Sequence, residues 1–387
     1  MKKSTKKKIV KVAKKHPVLA VVAILLVVAI VVCCVLHYKR VIHIPFLDGI
    51  IPQEQHQEDI ITDELSIHFI ELDTYSTGDC TLIKTGNTEI LIDAGAIKSC
   101  APTISEYINE YCTDGVLEYV IATHAHEDHI SAFVGTKKNG ARNGILYTYK
   151  VETLIQFAGV TNKTSGGTLY AEYQEAVEYA KQTNQTKVYS ALDCVKGLNG
   201  AQATYTLNEG ITMSILYQRF YEEYTDNEND YSVCTLLSQG NNHYLFTGDL
   251  DLDGETSLAE NNDLPKCKLY KAGHHGSKTS SNEVLLQEIQ PEIVCVCCCA
   301  GSDEYTKNNA NQFPTQEFID RIAPYTDKIY VTTLAVDKEA NTFTSMNGDI
   351  VVSSNGGEVH VTCSNNDVIL KETTWFKENR TWNGKGS

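Results

Sequence analysis

Thr123-His124-Ala125-His126-Glu127-Asp128-His129-Ile130 places three histidines and an aspartate within six residues. The stretch follows an apolar run, residues 116–122, that reads as a short buried strand. In an extended backbone His124 and His126 point to the same side, because strand side chains alternate with period two. If the chain then turns into a helix, Asp128 and His129 leave the same corner in a different direction. Two ligand pairs aimed at neighbouring points suit two metal ions about 3.5–4 Å apart, the spacing of metal-assisted hydrolysis. A patch of surface histidines is the bland alternative. Imidazole and carboxylate at this density argue for metal instead.

The chain has 387 residues, enough for one large domain or two small ones, and a formal charge of −16. Of 33 Lys and Arg, ten fall in residues 1–40 with no acid among them, so 23 face the 49 acidic residues. The body beyond residue 40 therefore carries about −26, a surface that repels polyanions unless a basic groove or a bound metal intervenes. The 13 cysteines show no paired Cys-x-x-Cys at zinc-ribbon spacing. Cys295-Val296-Cys297-Cys298-Cys299 reads as a buried strand that uses cysteine as a small hydrophobe, its neighbours sent to opposite faces.

Residues 1–16 form a basic segment with eight lysines, and residues 17–36 are twenty residues without a charge. That length spans a bilayer as a helix, and the lysine excess before it predicts a cytoplasmic N-terminus and an exported body. An uncleaved anchor is favoured over a signal peptide, because the run is long and does not end in small residues. Residues 37–64 read as a polar linker, 65–362 as the folded domain and 363–387 as a C-terminal tail holding Trp375 and Trp382. Within the domain short apolar runs alternate with helical patterns, an α/β signature. Strands are expected at 66–72, 80–84, 89–92, 116–122, 211–217, 233–238, 243–246, 269–272, 293–299 and 328–333, with a closing hairpin at 349–353 and 358–362. Helices are expected at 102–112, 170–183, 281–289 and 315–322.

The central motif, His-x-His-x-Asp-His after a strand, resembles the signature of the metallo-β-lactamase fold superfamily, and within it the hydrolase domains of ComEC/Rec2-type competence proteins and their stand-alone relatives. The similarity runs from about Ser66 to Thr362 with its segments in order. Leu72-Asp73-Thr74-Tyr75-Ser76-Thr77-Gly78-Asp79 resembles the family's Asp-Val-Gly-Gln-Gly-Asp opening, and Ile90-Leu91-Ile92-Asp93-Ala94-Gly95 its second strand and turn. Thr247-Gly248-Asp249 and Lys271-Ala272-Gly273-His274-His275-Gly276-Ser277 match two later motifs. The resemblance implies an αββα sandwich, two mixed sheets flanked by helices, behind one transmembrane helix. It implies two divalent metal ions, zinc first and manganese as the alternative. His124 and His126 would serve one ion, Asp128 and His129 the other, and Asp249 would bridge them.

One histidine of the His274-His275 pair should complete the second ion. His274 is the expected ligand, by its place beside Gly273, with His275 left to steer substrate or protonate a leaving group. Ser277, Lys278 and Ser280 stand at the expected start of a helix, where they would hold a substrate phosphate or cap the helix. The wider superfamily places a further histidine before the bridging aspartate, and this chain offers only His243 there. Asn229 or Asp230 would then lend an oxygen to the first ion, tilting it toward a harder metal.

These features describe a membrane-anchored, outward-facing hydrolase whose expected substrate is a phosphodiester. DNA or RNA is a candidate substrate for such a nuclease-like enzyme, although the acidic body disfavours nucleic acid, and the sequence identifies no protein partner. The alternatives are hydrolysis of another ester (a lactone, thioester, β-lactam or phosphocholine-type ester) and a non-catalytic cell-surface binding protein. The topology has a direct test: protease added outside intact cells should digest the body and spare the N-terminus, and a body protected until lysis would overturn the exported assignment.

Overall fold

The computed structural model describes residues 64–384. The basic segment, the transmembrane run and all but the last residue of the linker lie outside the described residues. Among those described, no helix is long and apolar enough to cross a membrane.

Sixteen strands form two eight-stranded mixed sheets. The first is built from β1 (Leu65–Phe69), β2 (Thr81–Thr85), β3 (Thr88–Ile92), β4 (Val116–Ala122), β5 (Lys150–Gln156) and β6 (Lys187–Ser190). The second holds β7 (Thr204–Asn208), β8 (Ile211–Leu216), β9 (Cys234–Gln239), β10 (Asn242–Phe246), β11 (Leu269–Lys271), β12 (Ile293–Ala300), β13 (Ile329–Asp337) and β14 (Thr342–Ser345). The chain then returns to the first sheet with the hairpin β15 (Ile350–Ser354) and β16 (Val359–Cys363). The strand orders are β16-β15-β1-β2-β3-β4-β5-β6 and β14-β13-β12-β11-β10-β9-β8-β7.

Alternation along β12 shows how the layers are made. Cys295 and Cys297 enter the core shared with the first sheet, whereas Val294, Val296, Cys298 and Ala300 enter a second core. That second core is closed by Leu258, Leu285, Leu286, Phe318 and Ile322, which lie on the helices Leu252–Asn261, Glu283–Ile289 and Gln316–Ile322. On the first sheet the helices Ala101–Tyr111, Glu127–Val134 and Thr168–Asn184 contribute Ile104, Phe133 and Tyr173. Phe69 and Phe246 meet between the sheets, ring centroids 6.4 Å apart. The αββα sandwich implied by the resemblance is the architecture found. The cysteine strand behaves as read: all eleven cysteines among the described residues are free thiols, and only Cys363 is not fully buried.

The elements β5, β6, β7, β14 and the helix Leu252–Asn261 were not anticipated. The edge strands β6, β7 and β14 are short and polar on one face, and the helix carries Gly254 and an exposed Leu252, so neither shows a clear period. The C-terminal segment is docked rather than free. Leu370 and Phe376 are buried in the second core, and Arg380 stacks on Trp375 at 5.1 Å while donating to the Pro314 and Gln312 carbonyls.

Parallel pairing orients the chain for chemistry. β3, β4 and β5 run parallel, as do β10, β11, β12 and β13, so both sheets direct strand C-termini to one end of the sandwich. At the opposite end the sheets are tied by polar bonds. Gln239 Nε2 donates to the Ser354 carbonyl at 3.0 Å, and Asn242 Nδ2 to Ser354 Oγ at 3.1 Å and the Gly357 carbonyl at 2.8 Å. Phe246→Ala, which empties the seam between sheets, should cost about 3–5 kcal/mol. Urea unfolding should show a lower midpoint with an unchanged slope.

Candidate metal centre

The His motif departs from β4 as its spacing suggests. His126 is still extended (φ −72°, ψ 155°) and caps the helix Glu127–Val134, so Asp128 and His129 sit on its first turn. The corner is laced to its neighbours through backbone bonds. Asp79 N donates to the Asp128 carbonyl at 2.9 Å and Ala94 N to the His129 carbonyl at 2.8 Å. Gly95 is required here, since a Cβ would stand 1.6 Å from the Asp128 carbonyl oxygen. Asp93, at the end of β3, accepts from Thr123 N at 2.8 Å and Thr123 Oγ1 at 2.7 Å, and its Oδ2 lies 2.7 Å from His129 Nδ1.

Asp79, His129, Asp249 and His275 each offer a ligand atom, and these atoms all lie within 4.8 Å of one another. Asp249 Oδ2 is 3.1 Å from His129 Nε2 and 3.3 Å from His275 Nε2. Asp128 Oδ2 is 3.3 Å from the same His275 nitrogen. His124 lies against His129 with ring centroids 4.1 Å apart, and its Nε2 is 3.0 Å from His126 Nδ1. Lys271, fully buried, donates to Asp79 and stands 3.7 Å from Asp249 Oδ1. A cavity of about 410 Å³ opens over the cluster, lined by His126, Asp128, Asn229, His274, Glu304 and Tyr305 among others.

The donor set fits divalent metal. His129 Nε2, His275 Nε2, Asp79 Oδ1 and both oxygens of Asp249 are buried without a hydrogen-bond partner, and such atoms are costly unless an ion takes them. Of the four carboxylates at this corner, Asp79 and Asp249 face the one ammonium, Lys271, whereas Asp93 and Asp128 face His129 and His275, leaving an excess of negative charge for cations. The mixed imidazole and carboxylate shell suits zinc, manganese or iron.

The field inside the cluster is strong. Burial works against charge on His129 and His275, yet Asp249, with Asp93 beside the first and Asp79 beside the second, drives both imidazoles well above their ordinary range. Burial opposes ionisation of Asp79 and Asp249 too, but Lys271 and His275 for Asp79, and His129 and His275 for Asp249, hold both carboxyls down. His124 is pushed well below the ordinary range by burial, with His129 and His126 adding repulsion. The carboxylates that favour positive charge on these imidazoles would equally favour a cation bound between them.

No family model matches the chain. In sequence it is 29% identical over 116 residues to Recombination protein 2 of Haemophilus influenzae, covering 30% of this chain and 14% of that protein. It is 25% identical over 261 residues to Competence protein ComA of Neisseria gonorrhoeae, covering 67% of this chain and 30% of that protein. The resemblance to ComEC/Rec2-type competence proteins holds. The chain spans less than a third of the length of either relative. Among solved structures, the metallo-beta-lactamase fold protein YhfI from Bacillus subtilis aligns over 73% of this chain and 99% of its own, with a TM-score of 0.39 and 11% identity.

Against the competence-type pattern, His124, His126, Asp128, His129 and Asp249 converge at one corner. The histidine pair is arranged differently from expectation. His275 is fully buried in the cluster, whereas His274 is partly exposed on the cavity wall with Nε2 4.0 Å from Asp249 Oδ2. The cause is local: both residues are left-handed (φ 47° and 55°), which turns the second imidazole inward. That conformation costs roughly 1–2 kcal/mol per residue, a strain typical of functional sites.

Asn229 Nδ2 reaches His274 Nδ1 at 3.3 Å and its Oδ1 is buried without a hydrogen-bond partner, whereas Asp230 Oδ2 is held by Asn227 and Thr225, its pKa raised to about 6 by burial and by Asp251. The helix expected from Ser281 begins at Glu283, and the amides of Ser281 and Asn282 are taken by Glu255. Ser280 donates to Asp251, Lys278 donates to Asn311, and Ser277 pairs with Thr279. Ser277 and Ser280 are buried and Lys278 is exposed. His243 pairs with Ser238 on its strand.

The sequence reading passed over Asp79, Asp93, Lys271, Asp251 and Tyr305 as site residues. Asp79, Asp93 and Lys271 stand inside the motifs that carry the resemblance, so the signal was present. Asp251 and Tyr305 had none. Asp93→Asn should weaken metal affinity about 10–100-fold without unfolding the protein, because His129 loses the carboxylate that fixes its tautomer. Metal titration read by calorimetry, with circular dichroism as control, checks this.

Proposed function

We propose that the chain is a metal-dependent hydrolase acting on small phosphodiesters, anchored in the membrane with its catalytic domain outside. The observation that carries this reading is the buried, partnerless set of His129, His275, Asp79 and Asp249 atoms beside His124 and His126, at the floor of an open cavity. Divalent metal held there would polarise the attacked phosphoryl oxygen and lower the pKa of a water to near neutrality. Zinc is the first candidate and manganese the second.

The chain's own groups then divide the remaining work. Asp93 holds His129 in one tautomer and orientation. Lys271 keeps Asp79 in place and offsets part of the negative charge, so that an anionic substrate meets less repulsion. Tyr305 donates to Asp128 Oδ2 at 2.7 Å from the cavity wall. Burial and the Asp128 charge push the phenol's pKa up, so it remains a proton-bearing donor.

The cavity lining includes Glu127, Asp128 and Glu304 but no lysine or arginine. With a body charge of about −26, this favours a short phosphodiester over a long polyanion.

The test is a substrate panel with zinc, manganese or chelator: a chromogenic phosphodiester, a dinucleotide, single- and double-stranded DNA, a lactone and a β-lactam. The small phosphodiesters should be hydrolysed fastest, and chelation should abolish turnover. Asp128→Ala and His129→Ala should each lose at least about 100-fold, more than the usual loss of a supporting group. Full activity in both variants would place the chemistry elsewhere.

A further inference from the structure

Three imidazoles of the centre share one pattern of attachment, while His126 turns its Nδ1 toward His124 Nε2. His129 Nδ1 is fixed by Asp93 at 2.7 Å and His275 Nδ1 by the Cys297 carbonyl at 2.8 Å. His124 Nδ1 faces Thr123 Oγ1 at 3.2 Å and Ser232 Oγ at 3.4 Å. In each case Nδ1 is occupied and Nε2 is left for the centre, the arrangement by which ligating histidines are oriented.

His274 is attached the same way. Its Nδ1 lies 3.0 Å from Thr279 Oγ1, 3.3 Å from Asn229 Nδ2 and 3.4 Å from Asp251 Oδ1. Asp251 is itself immobilised, accepting from Ser280 Oγ at 3.0 Å and from Asn227 Nδ2 at 2.8 Å. The free His274 Nε2 points to Asp249 Oδ2 at 4.0 Å, and the residue lines the cavity together with His126. With Nδ1–H donating to Thr279 Oγ1 or Asp251 Oδ1, Nε2 keeps its lone pair and is available as a ligand, while the Asn229 amide donates to Asp251 Oδ2 at 3.4 Å. The sequence, meanwhile, supplies no histidine between His129 and Asp249 except His243, which is occupied on its strand by Ser238.

Resting on the hydrolase reading above, we propose that both adjacent histidines are metal ligands, divided across the Asp249 carboxylate. His275 serves the Asp128–His129 side, and His274 serves the His124–His126 side in place of the missing histidine. Asp251 is its positioning residue. The consecutive left-handed residues 274 and 275 are what allow neighbours in sequence to face two points.

The experiment is equilibrium dialysis of the purified full chain against Co(II), with metal content and visible absorption as readouts and no turnover measured. Wild type should hold two ions. His274→Ala should hold one tightly, the other weakening at least tenfold, and His124→Ala should give the same loss, with no further ion lost in the double variant. His274→Ala with His275→Ala should lose both. Asp251→Asn, which touches no ion, should weaken one site about tenfold, and it covers the case in which His274→Ala fails to fold.

If His274→Ala keeps both ions at wild-type affinity, the histidine acts on substrate alone and this inference falls while the hydrolase reading stands. If Asp251→Asn leaves both affinities unchanged, the positioning role falls and the proposal with it. If wild type takes up no ion, the hydrolase reading falls and takes the inference with it.

Discussion

Four carboxylates brought into one water-poor corner set the terms for the rest of the molecule. Asp79, Asp93 and Asp249 are buried and Asp128 nearly so, and an ionised carboxylate in such a place is tolerable only beside positive charge. The protein supplies one permanent cation, Lys271, and places the imidazoles of His124, His126, His129, His274 and His275 around the same corner. The fold follows from the need to gather these groups. Each comes from the end of a strand or the loop after it, and parallel pairing in both sheets turns those ends the same way. Without that convergence the same residues would be scattered polar groups on an ordinary α/β surface.

Charge compensation also separates supporting residues from the binding set. Asp93 is spent on His129 and Thr123, and Asp251 on His274, Ser280 and Asn227. Neither faces the centre directly, yet each decides which nitrogen of a histidine is free. Lys271 takes one oxygen of Asp79 and leaves the other without a hydrogen bond.

The legible part of the molecule was the part with period or motif. β4 was bounded by its apolar run at the residues found, and the cysteine strand revealed its two faces because alternation is a property of backbone geometry. The His motif announced the centre because its spacing carries chemistry in itself. Asp79 and Asp93 were visible only as motif members, since a carboxylate at a strand end reads as turn composition until its partners are known. The order within His274-His275 depended on two positive φ angles, which neither residue type suggests. Asp251 and Tyr305 owe their places to tertiary approach. The docked C-terminal segment depended on single apolar residues, Leu370 and Phe376, spaced too far apart to show a pattern.

The two ends of the sandwich are closed by different means. At one end Gln239, Asn242 and Ser354 tie sheet to sheet with hydrogen bonds. At the other the closure runs through Asp79 and His129 from one sheet and Asp249 and His275 from the other, residues up to about 200 positions apart in the chain. An ion bound among them would work as a reversible cross-link, adding stability by closing a long loop as a disulfide does, in a protein whose described thiols are all unpaired. Gain or loss of an ion there would therefore change both the charge at the cavity floor and the strength of the tie between the two sheets.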